Sequence, residues 1–451
     1  MSTVSFLAIC VIGAVAQSDW SNGFRGPDGT GDWKGKANSW PLDGKDALWR
    51  VPMMGVGWAA PVTSVGKVFV ASVNSSKVVK PSGFAAGVMD TRPYFGGAKP
   101  PKEEHSWKVT SFDAYTGKFL WETTIESQVP KYGHHSSNTY ATETPVTNGR
   151  IVGCWFGSCG TAAGLDAQTG KLLWKKDLGT YPRATGFGSG SSPATDGKTL
   201  FVQNDNDQKS ALVALDLETG KEIWRQERKL KTSWATPLVW RNKNRTELVV
   251  CGEGEIVSHD PKSGKELWRY GGIRGAFATS PTADENLLVA CKSDPTNPGT
   301  YVAIRAGFDG DLAKGPDGKP NSEGKQNPGV AWTKSGSGPG LGSPVLSNGR
   351  LFVSNSAILT CMDAQTGKEI WKERLSGAKN VTASVWALGD TISVLDEAGN
   401  LFVVANEPRF RLVQKSQFGD LHWSTPDLAT GNLILRGVNE LVCLKPKANS
   451  K

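Results

Sequence analysis

Short apolar stretches recur along the whole chain, separated by turns rich in glycine, asparagine and aspartate. Examples are Leu248–Cys251, Leu287–Cys291 and Leu351–Val353. Apolar runs of strand length between turn residues favour β-strands over helices. The composition agrees, because 53 Gly and 17 Trp against only 5 Met suit many short strands joined by tight turns. The pattern therefore predicts an all-β protein.

One phrase recurs with the pattern Asp-x-x-Thr/Ser-Gly-Lys-x-x-Trp. The aspartate can accept hydrogen bonds from turn amides, and the glycine can adopt the positive φ of a tight turn. The tryptophan, which buries about 150–250 Å², can seal one repeat against the next. The phrase thus predicts a β-hairpin whose second strand carries a closing Trp. Its glycines and closing tryptophans are Gly117 and Trp121, Gly170 and Trp174, Gly220 and Trp224, Gly264 and Trp268, and Gly367 and Trp371.

A second marker precedes each phrase, and it is a small residue followed by proline. It occurs seven times, with Ser384-Val385 as a degenerate eighth copy: Ala60-Pro61, Thr144-Pro145, Ser192-Pro193, Thr236-Pro237, Ser280-Pro281, Ser343-Pro344 and Thr425-Pro426. Each marker opens a unit of four antiparallel strands, which is a propeller blade. Because one blade cannot bury both of its faces, the array must close on itself. We expect an eight-bladed β-propeller over residues 46–446.

The ring closure and two long inserts depart from the repeat. Trp332 takes the closing position of the fifth blade, whereas the seventh blade lacks a closing Trp. The eighth blade has only three strands near the C-terminus, so we expect the stretch around Trp49 to supply its outer strand and remove the open edge. Residues 74–107 and 306–329 are inserts, which in a compact repeat are usually functional or mobile.

The N-terminal segment indicates an exported protein. Residues 1–16 combine an apolar run with Ala14-Val15-Ala16, which is typical of a signal peptide, and no later segment is apolar enough to span a bilayer. Residues 17–45 form an N-terminal segment and 447–451 a tail. We therefore expect a periplasmic or secreted monomer.

The net charge of +8 is scattered without an aromatic stacking platform, so no nucleic-acid partner is expected. Cys154 and Cys159 are near in sequence, but the sequence leaves open whether they pair.

The recurring Asp-x-x-Thr-Gly-Lys-x-x-Trp phrase resembles the pyrroloquinoline-quinone-like (PQQ-like) repeat of the quinoprotein alcohol dehydrogenase-like propellers. Together with Phe24-Arg25-Gly26-Pro27, it is most similar to uncharacterised exported bacterial members. The resemblance implies the propeller fold and two kinds of function. Some members hold PQQ over Ca²⁺ in the central funnel, whereas an outer-membrane-protein assembly lipoprotein has no enzymatic activity. The vicinal Cys-Cys of the dehydrogenases does not occur in this chain.

Candidate ligand-binding residues lie at one predicted mouth of the funnel. Trp58, Trp234 and Trp423 each precede the blade marker by three residues, so they should occupy equivalent places. They can stack on a flat ligand, or they can pack between inner strands. The loop before the second blade adds four polar candidates, which can bind a metal, act as acid and base, or form a plain polar loop: His134, His135, Asn138 and Glu143.

Two further groups complete the candidates. Arg305 opens the fifth-blade insert and is also expected at the funnel mouth, where it can meet an anion, or it can form a surface ion pair. Asp205 and Asp207 form an acidic loop that lacks the glycine and glutamate of the EF-hand pattern, so a Ca²⁺ site there is the alternative to a plain turn. No catalytic residue set is identified. We expect a non-catalytic scaffold that binds a protein or envelope ligand without a cofactor, and the alternative is a PQQ- and Ca²⁺-dependent oxidoreductase.

Overall fold

The structure, a computed structural model, is an all-β ring of eight blades. It describes residues 22–35, 39–41, 43–77, 80–81, 99–292, 299–322, 325–428 and 431–447. The predicted signal peptide at 1–16 and most of the tail lie outside these ranges. The predicted eight-bladed propeller is confirmed. Helix in the described part of the chain is limited to short 3-10 turns such as Gly44–Asp46 and Ala184–Gly186, and no helix there is long and apolar enough to cross a membrane.

Each blade runs from an inner strand beside the central channel to an outer strand at the rim. The inner strands of blades 1 to 7 are Val62–Ser64, Val146–Thr147, Ala194–Thr195, Leu238–Arg241, Thr282–Ala283, Val345–Ser347 and Trp386–Leu388. The second strands of blades 1 to 8 are Lys67–Ser75, Ile151–Phe156, Thr199–Asn204, Thr246–Gly252, Leu287–Lys292, Arg350–Asn355, Thr391–Leu395 and Leu433–Arg436. The third strands are His105–Asp113, Thr161–Asp166, Ser210–Asp216, Glu255–His259, Gly299–Arg305, Ile358–Asp363, Asn400–Ala405 and Glu440–Leu444. The outer strands are Phe119–Gln128, Leu172–Asp177, Glu222–Arg228, Glu266–Tyr270, Val330–Gly336, Glu369–Arg374, Leu412–Gln417 and, for blade 8, Ala47–Pro52.

Blade 8 joins the two ends of the chain, as predicted. Its outer strand Ala47–Pro52 pairs antiparallel with Glu440–Leu444, so Trp49 lies opposite Cys443. A single bridge between Asp427 and Ile434 takes the place of its inner strand. The ring is therefore closed by hydrogen bonds between a strand from near the start of the chain and one from near its end.

The closing tryptophans pack on the turn glycines of the following blade. Each of the five phrase glycines has a φ between 67° and 73°. A β-carbon added at any of them would lie only 2.5–2.8 Å from the Trp of the preceding blade; Trp121 against Gly170 and Trp174 against Gly220 are the tightest pairs. The same indoles donate to carbonyls of the next blade, as Trp174 does to Leu217 O at 3.0 Å. The glycine is thus required for the turn and for the seam.

Two seams are built differently. The indole N–H of Trp268 donates to the Glu247 carboxylate of its own blade at 2.6 Å, because the insert replaces the turn phrase in blade 5. In blade 7, Gln414 stands at the closing position and holds both backbone groups of Trp40. Trp40 is buried and packs in a cluster with Leu401 and Leu444, so the N-terminal segment supplies the Trp that blade 7 lacks.

A chain of hydroxyl hydrogen bonds runs around the channel at the blade markers. In each link, the backbone N–H of one marker residue donates to the hydroxyl of the next blade's Ser or Thr, at 2.8–3.2 Å. The order is Ala60, Thr144, Ser192, Thr236, Ser280, Ser343, Ser384 and Thr425. Ala60 has no hydroxyl, so the chain is open between blades 8 and 1. There Arg436 donates instead to the carbonyls of Ala59 and Ala71.

Thr236→Val should destabilise the protein by about 1–3 kcal/mol, because it leaves the buried N–H of Ser192 without its acceptor. Valine keeps the shape of threonine, and Thr236→Ser keeps the hydroxyl and serves as the matched control. Urea unfolding of both variants measures the difference. Equal stability of the two variants would contradict a stabilising role for the hydroxyl chain.

Two blades gain an extra strand. Asp32–Trp33 of the N-terminal segment pairs parallel with the inner strand of blade 7, and Gly310–Asp311 of the fifth-blade insert pairs parallel with the outer strand of blade 4. The insert at 306–329 therefore covers the edge of the preceding blade. Most of the first-blade insert, at 78–79 and 82–98, lies outside the described residues.

Candidate functional site

The candidate mouth residues from blades 8, 1, 2 and 4 form one continuous arc. Trp423 stacks on Trp58 with ring centroids 5.4 Å apart and an angle of 18° between planes. The indole N–H of Trp58 donates to Ser137 O at 2.7 Å, and Ser137 Oγ lies 2.7 Å from Nδ1 of His135. His135 stacks on Phe187, which meets Trp234 edge to face at 6.2 Å. We call this set, from Trp423 through Trp58, His135 and Phe187 to Trp234, the aromatic arc.

The three equivalent tryptophans serve mainly as packing between neighbouring blades. Trp58 is only 4% exposed. Trp234 is half-buried and donates its indole N–H to Gly188 O of blade 3 at 2.8 Å. Trp423 is also half-buried, and so is Phe187. Trp234, Trp423 and Phe187 are therefore the aromatic residues of the arc that solvent can reach.

The loop before blade 2 is fixed by its own polar contacts. Nδ1 of His134 lies 2.7 Å from His135 O, and burial lowers the pKa of His134. Asn138 donates to Phe187 O and Ser189 O, which ties blade 2 to blade 3. The two histidines bind different groups, as expected for adjacent residues in an extended segment.

Glu143 lies beneath this loop and is 1% exposed. Its carboxylate accepts from the N–H groups of Gly157 and Thr142, and burial raises its pKa. The half-buried Arg183 is close by, and its guanidinium donates to Gly157 O and to Asn204 Oδ1. Glu143 is thus part of the support of the mouth and is not open to a ligand.

Asp205 and Asp207 have separate partners. Asp205 is buried, pairs with Arg228 at 2.9 Å and accepts from Gln203 Nε2. Asp207 is exposed and accepts from the hydroxyl of Thr232 at 2.7 Å. Within the described ranges, no group of three or more His, Cys, Asp or Glu residues lies close enough to hold a metal ion.

Arg305 does not belong to the mouth. It ends the third strand of blade 5 and pairs with Leu287, the residue that begins the second strand just after the turn from the inner strand. It therefore lies at the opposite end of the blade from Trp58, Trp234 and Trp423. Its guanidinium donates to Pro328 O and Val330 O, so it holds the insert in place.

The N-terminal segment covers the end of the channel opposite the mouth. Asn22 O accepts from Thr147 N of blade 2, and Gly31 O accepts from Ala387 N of blade 7. Arg25 is 2% exposed and donates to Pro281 O at 3.1 Å and to Pro344 O. Burial lowers the pKa of Arg25 to about 9. The channel is thus crossed at this end by the chain itself.

Sequence reasoning missed several residues that shape the site. Phe187 and Arg183 lie in a loop without a repeat marker, and no local pattern identifies them. Arg25 lies in the Phe24–Gly29 motif, whose position in the fold the motif alone does not reveal. Cys154 and Cys159, whose pairing the sequence left open, are both buried free thiols.

The carboxylates predicted at the mouth do not fit a Ca²⁺ site beneath a quinone. Calcium takes six to eight oxygen ligands, and the buried carboxylates of Glu143 and Asp205 already accept hydrogen bonds or pair with arginine. The stack of Trp58 on Trp423, with rings 5.4 Å apart, leaves no gap for a third ring between them.

Curated relatives fall into two functional groups. The chain is 24% identical over 224 residues to the 1-butanol dehydrogenase (quinone) of Thauera butanivorans, which covers 45% of this chain and 33% of that protein. It is 23% identical over 200 residues to the outer membrane protein assembly factor BamB of Salmonella typhimurium. That match covers 44% of this chain and 45% of that protein. The matches therefore span less than half the length of either relative.

Solved structures share the fold. The quinohemoprotein alcohol dehydrogenase of Comamonas testosteroni matches with a TM-score of 0.60 at 12% identity, over 98% of this chain and 82% of that chain. The family model described as "Outer membrane protein assembly factor BamB" matches residues 41–224, 158–243, 208–311 and 317–443. These ranges take in most of the chain, which therefore belongs to this family of PQQ-like repeat propellers (PQQ_2).

Proposed function

We propose that the chain is an exported, non-catalytic binding or assembly-scaffold propeller, which acts as a monomer outside the cytoplasm on a protein or envelope-associated ligand. The family assignment supports this role, because the family model is described as an assembly factor. The apolar N-terminal run with Ala14-Val15-Ala16 supports export.

The aromatic arc is the observation that carries the proposal. It offers the half-buried rings of Trp234 and Trp423, and aromatic surfaces are enriched where proteins bind partners. The polar side chains beside it already have protein partners, as Asn138 does with Phe187 O and Glu143 does with Gly157 N. A rigid rim of this kind suits recognition, whereas catalysis requires a reactive group within reach of the substrate.

An oxidoreductase is the second candidate, and the likeness to 1-butanol dehydrogenase (quinone) favours it. The engaged carboxylates and the closed Trp58–Trp423 stack count against it. Fold alone does not decide between the two, because one architecture hosts both functions.

Turnover separates the two functions. The full chain is incubated with PQQ and Ca²⁺, and reduction of an artificial electron acceptor is followed with primary alcohols and aldoses as substrates. A quinoprotein alcohol dehydrogenase reconstituted in parallel is the positive control. We expect no rate above the protein-free blank, and substrate-dependent turnover at one quinone per chain would overturn the proposal.

A further inference from the structure

Every blade carries a β-bulge at the same place in its outer strand. In blade 2, Leu172 pairs with Leu165 and Trp174 pairs with Gly164, so Leu173 has no partner on the third strand. The register skips one residue at this place in all eight blades, including blade 7, which has no closing Trp. The skipped residues are all apolar: Leu48, Leu120, Leu173, Ile223, Leu267, Ala331, Ile370 and Val413.

Most of these bulge residues are exposed. Six of them have 37–49% of their surface accessible, whereas Leu267 of blade 4 and Ala331 of blade 5 are half-buried. Single exposed apolar residues need no explanation. In six blades, however, an exposed apolar residue stands at the equivalent bulge, so it is a property of the repeat. Together these residues form a belt around the rim.

Blade 4 shows what covers such a position. The insert strand Gly310–Asp311 runs parallel to its outer strand, with Gly310 opposite Trp268 and Asp311 opposite Arg269. Leu312 N donates to Arg269 O at 2.8 Å. Leu267 and Phe308 pack against the apolar cluster that contains Leu312. An extended segment with apolar residues on both sides of Gly-Asp thus covers this bulge.

The outer strand of blade 2 has the same features as that of blade 4, but no segment among the described residues pairs with it. Its exposed bulge residue Leu173 is preceded by exposed Leu172, and Lys175 stands where blade 4 has Arg269. Blades 3, 4 and 6 have glutamate at the position of Leu172, as Glu369 is in blade 6. Adjacent blade 1 adds the exposed pair Phe119-Leu120. Blade 7 has a similarly exposed pair, Leu412 and Val413, followed by Lys415, but Asp43 already bridges its outer strand at Gln417. Among the outer strands that no further described segment pairs with, that of blade 2 is therefore the most apolar one with a cation at this position.

We propose that the outer strand of blade 2 binds an extended peptide segment of a partner protein. The segment adds as a parallel strand, places apolar side chains over Leu172 and Leu173, and directs an acidic side chain to Lys175. Main-chain hydrogen bonds supply affinity and the side chains supply specificity in such strand addition. This inference rests on the proposed scaffold function and names the chemistry of the partner.

The probe is a fluorescent peptide with the sequence of residues 306–314, Ala-Gly-Phe-Asp-Gly-Asp-Leu-Ala-Lys, which is the chain's own covering segment. Fluorescence anisotropy is measured with the full chain. We expect saturable binding that Leu173→Asp weakens at least tenfold, while its thermal stability stays near that of the wild type. Ile370→Asp changes the equivalent bulge of blade 6, beside Glu369, and should alter binding less than twofold.

Three results would overturn the inference. They are the absence of saturable binding, equal loss of binding in both variants, and a dimer in light scattering that Leu173→Asp dissociates, which would make a second copy of the chain the occupant. Failure of this test leaves the scaffold function standing, because quinone turnover is measured separately. Turnover, in contrast, would remove the scaffold function without changing the peptide result.

Discussion

Gly367→Ala is expected to destabilise the protein by about 2–5 kcal/mol. Alanine at a φ of 67° costs about 1–2 kcal/mol in the left-handed region. Its β-carbon would also lie 2.7 Å from the ring of Trp332, and overpacking of this kind costs about 1–3 kcal/mol more. Denaturant unfolding of the full chain measures the loss.

Gly349→Ala is the matched control in the same blade. Its φ of 72° is nearly the same, but an added β-carbon meets no atom of the described residues within 4 Å. It should lose only the conformational part, about 1–2 kcal/mol. Equal destabilisation of the two variants would contradict this account. It would show that only the positive φ, and not the packing of Trp332, requires glycine at position 367.

Lowering the pH from 7 to 4 should remove about 3 kcal/mol of stability through His259 alone. Burial lowers the pKa of His259 from its ordinary value near 6.5 to about 4. Between these values the unfolded chain binds a proton that the native imidazole does not, so stability falls as the pH falls. Nδ1 lies 3.0 Å from Gly264 O, and Nε2 is buried without a hydrogen-bond partner among the described residues.

His259→Asn isolates this contribution. The asparagine amide can donate to Gly264 O as Nδ1–H does, but it does not titrate. We expect its unfolding free energy to decline less steeply between pH 6.5 and 4 than that of the wild type. His134 and His422, whose pKa values burial also lowers, keep their contributions in both proteins. An unchanged pH dependence would show that His259 binds its proton equally in the native and unfolded states, so that burial does not lower its pKa.

The repeat made the architecture predictable. The phrase that ends at Trp121 contains a turn residue, a glycine and a closing Trp at fixed spacing, so hairpins and blades follow from local sequence. The role of Trp49 was also predictable, because an incomplete last blade requires a strand from elsewhere. The phrase does not reveal that Trp121 packs on Gly170, because that contact is between two different repeats.

Features that depend on contacts between repeats or outside them were not predictable. Trp268 carries the phrase but binds Glu247, because its neighbour lacks the receiving turn. Arg305 was grouped with the mouth, although strand direction places it at the other end. Phe187, which completes the aromatic arc, stands in a loop without periodicity. The predicted mouth was otherwise brought together, because Trp58, Trp234 and Trp423 share one register relative to the blade markers.

Thermal unfolding of the full chain with increasing PQQ in the presence of Ca²⁺ tests the non-catalytic account most directly. A ligand that binds only the native state stabilises it by about 2.7 kcal/mol at one hundred times its Kd. The account predicts the same Tm with and without the quinone. A Tm that rises with quinone concentration and saturates at one quinone per chain would contradict it.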